Sequence, residues 1–299
     1  MKHPVSTAQR QQVIALRQRH TLREVADMAG MPLGTVKTIC ARSGAFKDNP
    51  ALRELFTLPA IQPSASTSLT VPTLPAQQVV TGDAEIDAVL WLREVIRTGQ
   101  AVLIEKAMEA AKRIKTPLKE LEERYSKHLV SKNPGNWTVM FATMGFADLE
   151  GLAQSAVLKS TRQHEALARF GSIEGLFKDT PAERFCTATL KGLKIKDWCY
   201  PDAPVDDRFN ACPDLMPHTL NDCLYELAYW HDLYILRSAN DGGDQGKDAY
   251  ARECFAFRCL GRIRARSKAE AVSVFRYLAE FDRMDASETE GILLNLIGG

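Results

Sequence analysis

The sequence predicts an all-α protein in three parts: a small three-helix head over residues 1–56, a linker over 57–82 and a larger α-helical domain over 83–299. Three observations lead there. Apolar residues recur at helical spacing along nearly the whole chain after Asp83, with no run of period-two strands and no strand–helix alternation. Between Thr57 and Thr81 the chain holds four prolines, many Ser and Thr and no charge. The charge is also unevenly spread: residues 1–47 carry eight Lys or Arg against Glu24 and Asp27. That makes the head +6, and since the chain totals +1 the remainder is −5.

Composition bounds the class. With 299 residues, 45% apolar and 25% charged, the chain has enough material for a true core and the make-up of a soluble globular protein. No stretch of about 18 uncharged apolar residues is present, so no membrane partner is expected. The opening MKHPVSTAQRQQ lacks the apolar stretch of a secretory signal, and cytoplasmic residence is the expectation. Seven cysteines, an odd number thinly spread, suit reduced thiols rather than a disulfide framework.

In the head, Ala8 to Arg19 reads as a first helix with Val13, Ile14 and Leu16 apolar. Thr21 caps a second, Leu22 to Ala29, and Glu24 three positions later completes a capping box. Gly30 ends that helix, because glycine reaches the left-handed conformation without a Cβ clash. A third helix opens near Pro32 and runs through Val36 and Ile39 to about Arg42, stopped by Ser43-Gly44. Two helices joined by a glycine-containing turn are the pattern of a helix-turn-helix. The packing positions are suitably filled: Ala26 at the crossing, with Val25, Met31, Val36 and Ile39 inward. An ordinary helical hairpin without a ligand is the competing account, and the basic excess weighs against it.

The run from Arg23 through Val25-Ala26, Gly30 and Pro32-Leu33-Gly34-Thr35-Val36-Lys37 resembles the helix-turn-helix of sigma-factor region 4 and related transcription regulators. The resemblance covers residues 7–45 and no more. A sigma factor would carry this module near its C-terminus, so sigma activity is not implied; binding of double-stranded DNA is. On that reading the third helix lies in the major groove with its first turn toward base edges. Leu33, Gly34, Lys37, Thr38 and Ala41 are expected to project from the packed side, with Thr35 in the same first turn. Lys37 can donate to guanine acceptors or a phosphate, Thr38 can meet a thymine methyl, and Gly34 allows close backbone approach. Arg23 and Arg42, with Arg19 as a further candidate, read as phosphate clamps.

After Asn49-Pro50, Ala51 to Phe56 is a short amphipathic piece expected to cap the head's core. The proline-rich stretch beyond it reads as a tether, and about 20 flexible residues would reach about 25 Å. Helices are then expected after an Asp83 cap, with Ile86, Val89 and Leu90 apolar; after Gly99, with Leu103, Ala107, Ala111 and Ile114; and after Thr116-Pro117, with Leu118, Leu121, Tyr125 and Leu129. Further helices are expected at 146–159, 163–170, 182–193, 220–238 and 248–260, then after Ser267 with its Glu270 partner, and finally from about Ala286.

Motif chemistry adds little. Five cysteines and two histidines fall between Cys199 and Cys259 without a Cys-x2–4-Cys knuckle, so no metal site is expected. The glycine-rich stretch 238–246 lacks the twelfth-position Glu of a calcium loop and reads as a surface loop. The segment 198–208, with Asp202, Asp206 and Asp207, reads as an interhelical loop. Phosphate-binding, nucleophile-elbow and zinc-protease motifs are absent, so no catalytic residue, no cofactor and no enzyme activity are expected. Arg252, Arg258, Arg262, Arg264, Arg266 and Lys268 form a second basic run, read as a solvated face or a contact for phosphates or an acidic partner surface. Tyr225, Tyr229, Trp230 and Tyr234 suit core packing, with a dimer surface as the alternative.

These readings point to a sequence-specific DNA-binding transcription regulator working as a homodimer, with RNA polymerase as a possible partner. The alternative is a plasmid, phage or other mobile-element maintenance protein that marks a DNA site and recruits replication or partition proteins.

Overall fold

Capping side chains start several of the helices. The computed structural model describes residues 5–17, 20–44, 46–63, 73–196 and 198–297. Arg19, one of the expected phosphate clamps, and the middle of the proline-rich stretch lie outside the described residues. Within them the protein is all-α: there is no strand, and one isolated antiparallel bridge joins Lys196 and Cys199. No described helix is long and apolar enough to cross a membrane.

The chain divides into two compact units, one of Met1–Pro59, Phe177–Ile235 and Gly243–Gly299, the other of Ala60–Leu176 and Leu236–Gly242. Of the stretch after Asp83, the part up to Leu176 belongs to the second unit, whereas Phe177–Ile235 and Gly243–Gly299 group with the N-terminal residues.

The first unit opens with α1 (Thr7–Arg17), α2 (Leu22–Met28), α3 (Leu33–Ser43) and α4 (Pro50–Leu55). Asn49 caps α4, its Oδ1 accepting from the amides of Ala51 and Leu52. Contrary to expectation, α4 does not close the core of α1–α3. Leu52 and Phe56 are buried, and the Phe56 ring meets Tyr229 and Trp230 edge-on, at 5.6 Å from each. Polar contacts hold it there: the fully buried Asp222 carboxylate accepts from the Asn49 amide (2.9 Å) and the Arg53 Nε (3.0 Å).

The rest of that unit comprises α10 (Pro181–Leu190), α11 (Asp202–Asn210), the larger part of α12 (Leu220–Ala239), α13 (Lys247–Cys259), α14 (Lys268–Glu280) and α15 (Thr289–Ile297). At its centre lies Arg252, which has no exposed surface. Its guanidinium donates to both carboxylate oxygens of Glu226 (2.6 and 2.8 Å) and to the Leu215 carbonyl (2.8 Å). The rings of Phe56, Phe185, Phe209 and Phe255 surround it, the nearest at 4.8 Å. Burial pushes the Glu226 carboxyl above its ordinary value despite the arginine beside it.

Two sequence expectations are corrected here. The segment 198–208 is not an irregular loop, since α11 occupies its second half. The basic run is not an open cationic face: Arg258 pairs with Asp202 and Asp206, Arg262 with Asp206, and Arg266 with Asp48 and Glu270. Arg258 lies on α13 and Arg262 and Arg266 in the turn that follows it, and the acids that meet most of them are distant in sequence. Ser267 caps α14 as expected by accepting from the Glu270 amide, whereas the Glu270 carboxylate accepts from the amides of Arg266 and Asn221. Tyr229 and Trp230 are core residues while Tyr225 and Tyr234 are exposed. Cys186, Cys223 and Cys259 are buried, and burial pushes the Cys259 thiol up to about 12.

The second unit holds α5 (Ala84–Arg97), α6 (Ala101–Ala111), α7 (Leu118–Lys132), α8 (Leu149–Phe170) and the one-turn α9 (Ile173–Leu176). Asp83 caps α5 as its spacing predicts. Leu92, Val95 and Ile96 of α5 pack on Leu103, Ile104 and Ala107 of α6 and on Leu149 and Ala156 of α8. The two helices expected at 146–159 and 163–170 are one. Ser160, Thr161 and Arg162 do not interrupt it, because α8 packs along both halves and tertiary contact outweighs the weak helix propensity of Ser and Thr. The described ends of the proline-rich stretch are held rather than free. Trp91 Nε1 donates to the Pro75 carbonyl (2.8 Å), and Asp87 accepts from the amides of Val80, Thr81 and Gly82.

Gly99 makes the α5–α6 corner at φ +69°, where an added Cβ would stand 2.6 Å from Ser160 Cβ and 2.8 Å from the Ala156 carbonyl oxygen. Gly99→Ala is therefore expected to cost about 1–3 kcal/mol of unfolding free energy by urea denaturation. Glu226→Ala should cost more, about 3–5 kcal/mol, because it strands a buried guanidinium; Glu226→Leu with Arg252→Met should recover most of that loss.

Candidate nucleic-acid interface

The N-terminal cluster is built on four buried side chains, Val13 of α1, Val25 and Ala26 of α2 and Val36 of α3. Leu16, Leu22, Met31 and Ile39 close over them, half-buried. Ala26 is the small residue that lets α2 and α3 approach. The capping box at Thr21 is formed: its hydroxyl accepts from the Glu24 amide (3.3 Å), and the Glu24 carboxylate accepts from the Thr21 amide (2.7 Å). Those Thr21 hydrogen bonds hold the Glu24 carboxyl below its usual value.

The turn between α2 and α3 is fixed by backbone geometry. Gly30 stands at φ +61°, its amide donating to the Asp27 carbonyl (3.3 Å) while the Met31 amide donates to the Ala26 carbonyl (2.9 Å). This pair of bonds is a Schellman closure, and it needs a left-handed residue where Gly30 sits. Pro32 then starts α3 with its carbonyl accepting from the amides of Thr35 and Val36. Gly44, at φ +74°, ends it.

The sequence-derived site residues can now be placed. Gly34, Lys37, Thr38 and Ala41 lie along one exposed face of α3, and Arg42 is exposed beside them. Arg23 is exposed on α2. One position differs from expectation. Leu33 does not project outward but packs half-buried on the cluster's core; Thr35, in the same first turn, is half-buried. A helix of 3.6 residues per turn with Val36 fully inward carries residue 33, one turn earlier, partway toward the same side. Thr38 Oγ1 donates to the Gly34 carbonyl (2.8 Å), which leaves its oxygen free to accept. Nothing lies within 4 Å of where a Gly34 Cβ would stand, so this glycine is not required by the protein's own packing.

Between α1 and α3 runs an open cleft of about 480 Å3, lined by Ile14, Thr35, Thr38 and Ile39 with Arg10 and Arg42 at its rim. Arg10 thus joins Arg42 although 32 positions separate them; its place three residues before Val13 on α1 was the available signal. Arg17 has a different fate. Its Nη1 donates to the His20 carbonyl (2.9 Å), its guanidinium lies 5.7 Å from the Phe46 ring centre, and burial lowers its pKa. Among the described residues no group of three or more His, Cys, Asp or Glu could hold a metal ion.

Comparison with family models, curated proteins and solved structures finds no match to this chain.

With open space at Gly34 and a helical φ there, Gly34→Ala should leave folding intact and raise stability by up to about 1 kcal/mol, measured by urea unfolding.

Proposed function

We propose that this protein is a sequence-specific double-stranded DNA-binding transcription regulator, with α2 and α3 as a helix-turn-helix. The observation that carries the reading is the division of α3 into two faces. Val36 is sealed in the core while Gly34, Lys37, Thr38, Ala41 and Arg42 stand together at the surface. The +6 charge of residues 1–47 supports the same reading, since a phosphate backbone rewards such a head on an otherwise acidic chain.

On this proposal the exposed face of α3 enters the major groove. Gly34 lets the helix start approach closely, Lys37 donates to a guanine edge or phosphate, and Thr38 and Ala41 offer methyls to thymine. Arg23 and Arg42, with Arg10 beside the latter, clamp phosphates on either side and fix the orientation without reading sequence. One head of three short helices makes few contacts. Useful affinity then comes from a homodimer that places two heads on paired half-sites.

Genome-wide mapping of bound DNA identifies the site, and the same experiment with variants tests the interface. Lys37→Ala is expected to weaken binding to that site by about 1–3 kcal/mol. Gly34→Glu, which sets a carboxylate on the groove-facing turn, should abolish it while circular dichroism stays native. Undiminished occupancy by Gly34→Glu would refute the assignment. Affinity should fall steeply with salt, and Arg42→Ala should reduce the slope of log K against log salt by about 0.9 if Arg42 meets one phosphate. Light scattering that finds only monomer at working concentration would remove the dimer.

A further inference from the structure

A second cleft, of about 520 Å3, lies in the first unit among α12, α13, α14 and the loop before α13. Its walls are aromatic. Trp230 forms part of the lining, Tyr277 and Phe281 stack on each other with ring centres 4.8 Å apart, and His231 meets Phe281 edge-on at 4.8 Å. Tyr234 and Tyr250 stand at the opening with 45% and 47% of their surface exposed. Core packing accounts for Trp230; it does not account for two tyrosines left open to solvent on one cleft.

The polar groups are few. Gln245 Nε2 is buried yet has no hydrogen-bond acceptor among the described residues. The Glu253 carboxylate, 19% exposed, lies 3.4 Å from the Arg283 guanidinium, and both line the cleft. A buried amide donor without a partner costs free energy that an incoming acceptor would restore.

We infer that this cleft binds a neutral, flat, nitrogen-containing heteroaromatic ring with neighbouring donor and acceptor atoms, the chemistry of a purine base. Ring faces stack on the tyrosines, the Gln245 amide donates to a ring nitrogen or carbonyl and offers its own oxygen, and Glu253 accepts from a ring or exocyclic N–H. The charge balance selects against the other occupants. An anion would meet Glu253 and Asp244 with Arg283 as the one cation in the lining, and a permanent cation would compete with Arg283 for Glu253. The volume falls in the roughly 300–1,000 Å3 range of small-molecule sites. Ligand binding at this cleft requires no DNA, so it stands apart from the reading of α3.

The test is titration calorimetry of the full chain with adenosine and guanosine, with tetramethylammonium and inorganic phosphate as the cationic and anionic probes. Saturable one-site binding of at least one nucleoside is expected. Gln245→Leu should weaken it about tenfold, and Tyr234→Ala, a change at the exposed rim that leaves the melting temperature in place, should weaken it severalfold. The proposal is overturned if neither nucleoside saturates in the millimolar range, if both variants bind like the unaltered protein, or if tetramethylammonium or phosphate is preferred.

Discussion

A guanidinium sealed among phenylalanine rings is the constraint around which the first unit is arranged. Arg252 cannot shed its proton, so its charge has to be answered where it lies, and Glu226 answers it with two hydrogen bonds. Satisfying the pair fixes the register of α13 against α12. The Leu215 carbonyl draws in the turn before α12, and the ring of Phe56 brings α4 to the same point. A purely apolar core would tolerate sliding between helices; this one tolerates little, because a shift by one turn would separate charges in a low-dielectric interior.

The same logic recurs elsewhere in the unit. Asp222 gathers the Asn49 amide, the His218 amide and Arg53. Asp206 gathers Arg258 and Arg262, and Asp48 pairs with Arg53 and Arg266. Four of the arginines in the run from residue 252 to 268 are thus committed to holding the unit together, while the outward cations of α1–α3 meet no carboxylate in an ion pair among the described contacts. That contrast supports the proposal of DNA contact for one basic cluster, while the other serves architecture.

Much of the fold was legible in the residues. The Thr21 and Asp83 caps, the stops at Gly30, Gly44 and Gly99, and Pro117 before α7 fall where local chemistry predicts them, because each acts within one turn of the chain. The exposed row Gly34, Lys37, Thr38 and Ala41 was likewise legible from 3.6-residue periodicity. The placement of Leu33 was not. It sits at the boundary of the buried face, where a fraction of a turn decides.

By itself the sequence determined that the chain is helical, where most helices begin and end, and that Gly34, Lys37, Thr38 and Ala41 face outward, since these follow from capping, periodicity and glycine conformation. Only the tertiary structure decided which acid meets which arginine, that α4 joins α12 instead of closing the head, and that residues 60–176 form their own unit. It also brought Trp230, Gln245, Tyr277 and Arg283 to one cleft. The reason is the same in each case: local forces act over four or five residues, whereas burial of charge and ring packing join positions tens to hundreds of residues apart.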